Sequence, residues 1–235
     1  MKLNKLIHKN NKSKLAVLVD PDKFNEKLIV FANKSKVAFF LVGGSRLKKN
    51  NIDLVILKIK KISKKPVILF PGDETQLSKH ADGMLLLSLI SGRNAEYLIG
   101  KHVKAVPGII KMKIKTMATG YILIDGKKIS STQNISKTKP LSINSINTIV
   151  NTAIAGELMG LEAIYLEAGS GAGKAVNSKI ISAVRKNIDV PLIVGGGINN
   201  YESVKKAMKA GANVIVVGNA LEKNLYLLTE IEKAF

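Results

Sequence analysis

The sequence predicts an α/β protein, a single (β/α)8 TIM barrel over residues 1–235, and three observations predict it. Eight short runs rich in Val, Ile, Leu and Phe recur along the chain. They are near-continuous rather than alternating, as strands buried on both faces are. Segments of 3.6-residue hydrophobic periodicity lie between most of them, and strands alternating with helices imply a parallel sheet. The length, 235 residues, suits a one-domain barrel of roughly 250. An open doubly wound sheet is the alternative arrangement of the same units.

The expected strands are residues 15–19, 37–42, 66–70, 84–88, 120–124, 163–167, 192–194 and 213–217. Between them, Ile143, Ile146, Val150 and Ile154 form one apolar stripe. Ile180, Ile181 and Val184 form a second, and Val204, Ala207 and Met208 a third. Two connections depart from the pattern. Residues 71–83, between the third and fourth strands, have room only for a stub of helix, so the third outer helix is shortened or missing. This is either a routine short loop or a gap in the barrel wall that makes a groove for something long and apolar. Residues 93–119, before the fifth strand, form a long connection containing Pro107 and Gly108. Residues 127–139, rich in Ser, Thr, Gln, Asn and Lys, read as a loop over one end of the barrel.

Cysteine is absent, which excludes disulfides, a thiolate nucleophile and thiolate metal sites, and fits a reducing cytoplasm. The net charge is +20, yet of 37 basic residues only Arg46, Arg93 and Arg185 are arginine. Nucleic-acid readers rely on arginine for bidentate contacts. The lysines here are scattered, with no aromatic-rich basic block, so no nucleic-acid partner is expected. Compositional bias at exposed positions explains them, and attraction to anionic substrates or peripheral contact with an anionic membrane is the functional reading. Residues 1–14 lack the apolar core and cleavage site of a secretory signal. The longest apolar run, residues 83–90, falls well short of the roughly 20 residues of a membrane span. A soluble protein is expected.

The candidate chemistry sits at strand ends. Pro191-Leu-Ile-Val-Gly-Gly-Gly-Ile198 and Val214-Ile-Val-Val-Gly-Asn-Ala220 are two apolar runs ending in glycine, each followed by a helix-like segment. Such turns let backbone N–H groups approach a phosphate dianion. In (β/α)8 barrels the loops after strands seven and eight are where that site usually lies. Asp20, in Asp20-Pro-Asp22, is the functional carboxylate at the first strand's end, and a hard oxygen ligand there suits Mg²⁺. Asp22 is read as the N-cap of a helix starting at Phe24. Val42-Gly-Gly-Ser45 ends the second strand, where Ser45 is a candidate metal ligand or an ordinary cap. Tyr165-Leu-Glu-Ala-Gly-Ser-Gly171 ends the sixth, with Tyr165 and Glu167 directed into the mouth and the glycines wrapping a small polyol. A phosphate-binding P-loop fails there, because Ala168 and Ala175 occupy its glycine and hydroxyl positions. His8, His80 and His102 are isolated, with no metal-ligand spacing, and read as surface or partly packed side chains.

Taken in order, Val19-Asp-Pro-Asp-Lys23, Leu41-Val-Gly-Gly-Ser45, Ser88-Leu-Ile-Ser-Gly-Arg-Asn94, Tyr165-Leu-Glu-Ala-Gly-Ser-Gly171, Val194-Gly-Gly-Gly-Ile198 and Val217-Gly-Asn-Ala220 resemble the geranylgeranylglyceryl phosphate synthase family, with its heptaprenylglyceryl phosphate relatives. The resemblance implies a modified barrel without a normal third outer helix, whose gap holds the prenyl chain. It implies a prenyltransferase that joins a polyprenyl diphosphate, here geranylgeranyl diphosphate, to the 3-hydroxyl of sn-glycerol 1-phosphate with Mg²⁺. The product is an ether-lipid precursor. By the same resemblance Asp20 and Ser45 are the Mg²⁺ ligands. Tyr165, Leu166, Glu167, Ala168, Gly169, Ser170 and Gly171 form the glycerol phosphate cradle. Gly195, Gly196 and Gly197 with Gly218 and Asn219 form the phosphate grip. Homo-oligomers are implied too, while the cytoplasmic expectation rests on the absence of cysteine. Glu167 is the candidate base, and Tyr165 orients the glycerol or faces the allylic cation. Part of the family carries a lysine where this chain has Leu18, and Lys23 and Arg93 are the candidate replacements. Ala105 is placed near the groove floor. The competing readings are another phosphate-binding barrel enzyme, an isomerase or lyase, and a lysine-rich nucleic-acid binder.

Overall fold

The structure, a computed structural model, describes residues 3–7, 12–45, 47 and 51–235, so His8 and Arg46 lie outside the described residues. Eight parallel strands close in sequence order: β1 Lys14–Val19, β2 Val37–Val42, β3 Val67–Leu69, β4 Gly83–Ser88, β5 Thr116–Leu123, β6 Ala163–Glu167, β7 Leu192–Gly195 and β8 Val214–Val217. β8 pairs with β1 from Lys14↔Val214 to Val17↔Val217, which closes the ring and excludes the open sheet. The main displacement is β5, which begins at Thr116 rather than residue 120. Its first half, Thr116-Met-Ala-Thr119, lacks the β-branched apolar run that marks the other strands.

Strand alternation sorts side chains into two shells. Val17, Phe40, Val42, Leu69, Ile164, Leu166 and Val194 face the outer layer. Ala16, Phe39, Leu41, Ile68, Leu85, Met117, Ile193 and Val216 fill the interior, with Tyr121 and Tyr165 above them. The same parity carries Asp20, two residues past Leu18, and Glu167, two past Tyr165, to the interior at the C-terminal mouth. The opposite end is packed by α1 Leu3–Ile7, a helix the sequence reading omits. Leu3 and Ile7 join the interior cluster, and Lys14 Nζ donates to the Leu6 carbonyl at 2.7 Å.

The outer layer consists of α2 Glu26–Asn33, α3 Ile52–Ile62, α4 Lys101–Met112, α6 Ile146–Leu158, α7 Ser178–Asn187 and α8 Tyr201–Lys209. Three short helices accompany them: α5 Ser131–Ser136, α9 Asn219–Lys223 and α10 Leu227–Ile231. Asn25, Asn51, Asn177 and Asn200 cap α2, α3, α7 and α8, each side-chain oxygen accepting a first-turn backbone N–H. Each such cap contributes about 1 kcal/mol. The expected stripes of α7 and α8 face inward, with Ile180, Ile181, Val184, Val204 and Ala207 buried. In α6 the innermost line is instead Ile149, Ala153 and Gly156, and the expected isoleucines flank it half-buried.

Two corrections concern the loops. Asp22 caps no helix. Asp20 itself caps the 3₁₀ turn Pro21–Lys23 by accepting the Asp22 N–H, and α2 starts later, at Glu26. Residues 93–119 are not an abnormal connection: a π-turn at Glu96–Gly100 leads into α4, with Pro107 inside it. The expected loop 127–139 contains α5. Between β3 and β4, residues 70–82 contain no helix, so the third outer helix is missing. Among the described residues no helix is long and apolar enough to cross a membrane.

Candidate active site

Glu167 closes β6 and is only 6% exposed. Its Oε1 accepts the Gly169 N–H at 2.7 Å. Burial pushes the carboxyl up from 4.5 to about 7, although the Gly169 N–H and the neighbouring Tyr165 hydroxyl favour the anion. Tyr165 is completely buried, not open to the mouth, and its hydroxyl makes no hydrogen bond among the described residues. Burial, then the Glu167 charge, raises its pKa well above the ordinary phenol value. A buried carboxyl titrating near neutrality beside an orphaned hydroxyl suits proton transfer to or from a bound polar group.

The neighbouring strand makes room for that group. β7 ends with Gly195 paired to Glu167. A Cβ on Gly195 would lie 2.2 Å from the Tyr165 hydroxyl, and one on Gly196 would lie 2.2 Å from Glu167 Oε1. Gly196 also has φ +77°, so both space and backbone demand glycine. Gly197 continues this turn. β8 ends beside it at Gly218, where α9 begins with Asn219. Asn219 Nδ2 donates to Ser170 Oγ at 3.0 Å, tying the loop after β8 to the loop after β6. Gly171 lies against the same Asn219 amide. The expected cradle and grip therefore converge on one rim. Leu166 and Ala168 turn their side chains into the outer layer and bring only backbone to it. Leu18 packs against Gly218, so the position of the family's lysine is apolar here.

Asp20 stands at the end of β1, the strand next to β8, and is half-buried. Its Oδ1 accepts the Asp22 N–H at 3.0 Å, and its Oδ2 lies 3.8 Å from Lys23 Nζ. A Cβ on Gly44 would meet the Asp20 carboxylate at 3.4 Å, so the turn before Ser45 abuts it. Gln76 fixes that turn, donating to the Gly44 carbonyl at 2.7 Å and accepting the Gly44 N–H at 3.2 Å. Among the described residues no cluster of three His, Asp or Glu side chains is arranged to hold a metal. Lys23 is paired with Glu222 at 3.2 Å. Exposed Arg93 donates to its own loop's Gly92 carbonyl and does not line the groove.

The missing helix leaves a groove. It runs from Gly44 and Ser45 past Phe70, Leu77, Leu86, Leu87 and Leu89 to His102 and buried Ala105. His102 lines it with Nε2 2.8 Å from the Leu87 carbonyl, a partly packed histidine as expected. At its inner end Phe70 and Tyr121 meet Tyr165. The Tyr121 and Tyr165 rings stack at 5.3 Å, and Phe70 lies 5.2 Å from Tyr165. The groove's cation is Lys101, held by Glu74 at 2.7 Å. Sequence reasoning missed Phe70, Gln76, Lys101 and Tyr121. Strand parity was the available signal for Phe70 and Tyr121, since both continue the inward alternation of their strands.

With this geometry in view, comparison with known proteins is direct. The family model described as the PcrB family matches residues 8–235. A geranylgeranylglyceryl phosphate synthase of Zunongwangia profunda is 48% identical over 91% of this chain and 93% of its own length. The enzyme of the same name from Korarchaeum cryptofilum is 33% identical over 99% of this chain and 97% of its own. The crystal structure of (S)-3-O-geranylgeranylglyceryl phosphate synthase from Thermoplasma acidophilum, in complex with sn-glycerol 1-phosphate, superposes with a TM-score of 0.92 at 28% identity, over 100% of this chain and 98% of that one. The chain belongs to the PcrB family.

Proposed function

We propose that this protein is a geranylgeranylglyceryl phosphate synthase: it transfers a geranylgeranyl group from its diphosphate to the 3-hydroxyl of sn-glycerol 1-phosphate. The observation that carries this reading is the meeting of two unlike sites at the Tyr121–Tyr165 stack. An apolar groove approaches it from one side. A buried carboxyl and a glycine rim lie on the other. The relatives' shared name and the glycerol phosphate of the Thermoplasma complex support the same assignment.

In this reading the rim at Gly196, Gly197, Gly218 and Asn219 binds the glycerol phosphate and orients its 3-hydroxyl toward Glu167, an entropic contribution to rate. The hydroxyl oxygen bonds to the allylic C1 as the C1–diphosphate bond breaks. The electron pair leaves with diphosphate, and Glu167 takes the hydroxyl proton. Tyr165, sealed beneath Gly195, acts through Glu167: its hydroxyl favours the carboxylate form of the base from below. Asp20 and Ser45, a carboxylate and a hydroxyl at neighbouring strand ends, are the residues that would hold Mg²⁺, which favours hard oxygen ligands. The side-chain-free Gly44 keeps the approach to the Asp20 carboxylate open. When bound, the ion would supply charge neutralisation for the diphosphate leaving group. The absence of cysteine supports a cytoplasmic setting.

The test is incubation with labelled sn-glycerol 1-phosphate, Mg²⁺ and prenyl diphosphates of several lengths, followed by solvent extraction. Label in an extractable ether-linked product, greatest with the twenty-carbon donor, is expected. Label confined to water with every donor would refute the assignment.

A further inference from the structure

One helix carries two apolar faces. The inner face of α4 presents His102 and Ala105 to the groove. The outer face presents Val103, Val106 and Ile110, which are 65%, 45% and 70% exposed. Ile99, in the π-turn that leads into α4, is 59% exposed and precedes Val103 by four residues. These positions fall on one stripe at helical spacing. Lys104, Lys111 and Lys113 border it, all exposed. From residue 83 to 124 the chain has six basic residues and one acidic residue, Glu96. That glutamate is paired with Lys104 at 2.8 Å.

We infer that the outer face of α4 docks the protein on an anionic membrane surface, with Ile99, Val103, Val106 and Ile110 entering the headgroup boundary. A helix with an apolar stripe and a lysine border has the makeup of an interfacial helix. Each basic residue near an anionic leaflet strengthens binding by roughly fivefold. A second copy of this chain fits the face less well. Lysine is depleted from protein interfaces, and self-contact would oppose two lysine borders. Because the groove opens on the other side of the same helix, docking there would hold its entrance close to the lipid surface.

Vesicle co-sedimentation of the full chain, without substrate, tests this separately from the proposed reaction. The probes are phosphatidylcholine vesicles and phosphatidylcholine vesicles containing one-third phosphatidylglycerol. Binding to the anionic vesicles only, weakened by salt, is expected. The double variant Val103→Gln/Ile110→Gln should bind roughly tenfold or more weakly, and Lys111→Glu/Lys113→Glu should bind similarly weakly. Both pairs are exposed and outside the groove, so a far-ultraviolet spectrum and melting curve like the parent's should accompany the loss. Equal binding by parent and variants would overturn the inference. So would a fall in molecular mass of the Val103→Gln/Ile110→Gln variant by light scattering, which would assign the stripe to contact between copies.

Discussion

Glu167 Oε1 occupies the space that a side chain on residue 196 would need: a Cβ built on Gly196 would lie 2.2 Å from it, and 2.7–2.8 Å from the Gly169 and Ala168 nitrogens. The carboxyl and the glycine turn are thus one unit, in which bare backbone lets Glu167 sit beside the rim. Gly196→Ala should therefore cost about 1–3 kcal/mol in backbone strain alone and displace Glu167. Urea denaturation should show the lost stability, and steady-state kinetics a raised KM for glycerol phosphate with lower kcat. A variant with parental stability and KM would contradict this packing.

Glu167 should also leave a signature in stability against pH. Its folded pKa is raised to about 7 from 4.5. Between those values the unfolded chain has released its proton while the folded chain keeps it. This group therefore lowers stability progressively as pH rises from about 4.5 to about 7, with no further change above. Glu167→Gln removes the effect. The variant should gain on the parent by a few kcal/mol at pH 8 and by almost nothing at pH 4.5. Melting curves across that range check it, and a variant advantage that is constant with pH would contradict it.

At the end of β1, Asp20→Asn keeps an oxygen able to accept the Asp22 N–H but removes the charge. The Mg²⁺ concentration giving half-maximal turnover should rise roughly tenfold or more. The Kd for glycerol phosphate, measured by calorimetry without Mg²⁺, should change little, because Asp20 makes no hydrogen bond to Glu167, Ser170 or Asn219 among those described. An unchanged Mg²⁺ dependence would remove Asp20 from the proposed ligand set.

Ala105 is 6% exposed on the groove wall. Ala105→Phe places a ring in the path of a long chain. Turnover should fall with the twenty-carbon donor and persist with a ten-carbon donor, as product analysis would show. Equal loss with both would mean general damage to α4.

The strands were legible where their chemistry was unbroken. β2 is an uninterrupted apolar run and β6 is one up to its closing Glu167, and both have the expected bounds. The start of β5 was not, because Thr116, Ala118 and Thr119 resemble a loop; Thr119 in fact buries its hydroxyl against the Met117 carbonyl. The missing third helix could be read from chain length alone, since residues 71–83 cannot hold a full helix and its turns. α1 could not, because five residues are too few to display a period.

The site divides similarly. Gly196, Gly218 and Glu167 announce themselves by spacing and strand ends. Gln76 does not, because one buried amide bonded to the Gly44 backbone across 32 positions leaves no local pattern. Lys101 was hidden among many lysines; its meaning lies in its pairing with Glu74 across the gap. Asp22 was misjudged because two aspartates flank Pro21, and either could cap. Asn25, Asn51, Asn177 and Asn200 cap four helices and carry no apolar pattern that would mark them.

The most direct test of the central claim is Glu167→Gln, measured for both turnover and binding. Glutamine keeps the shape and can accept the Gly169 N–H, but it cannot take a proton. The account predicts a fall in kcat of roughly 10²–10⁴, with glycerol phosphate Kd close to the parent's. Parental turnover in that variant would contradict the assignment of Glu167 as the base.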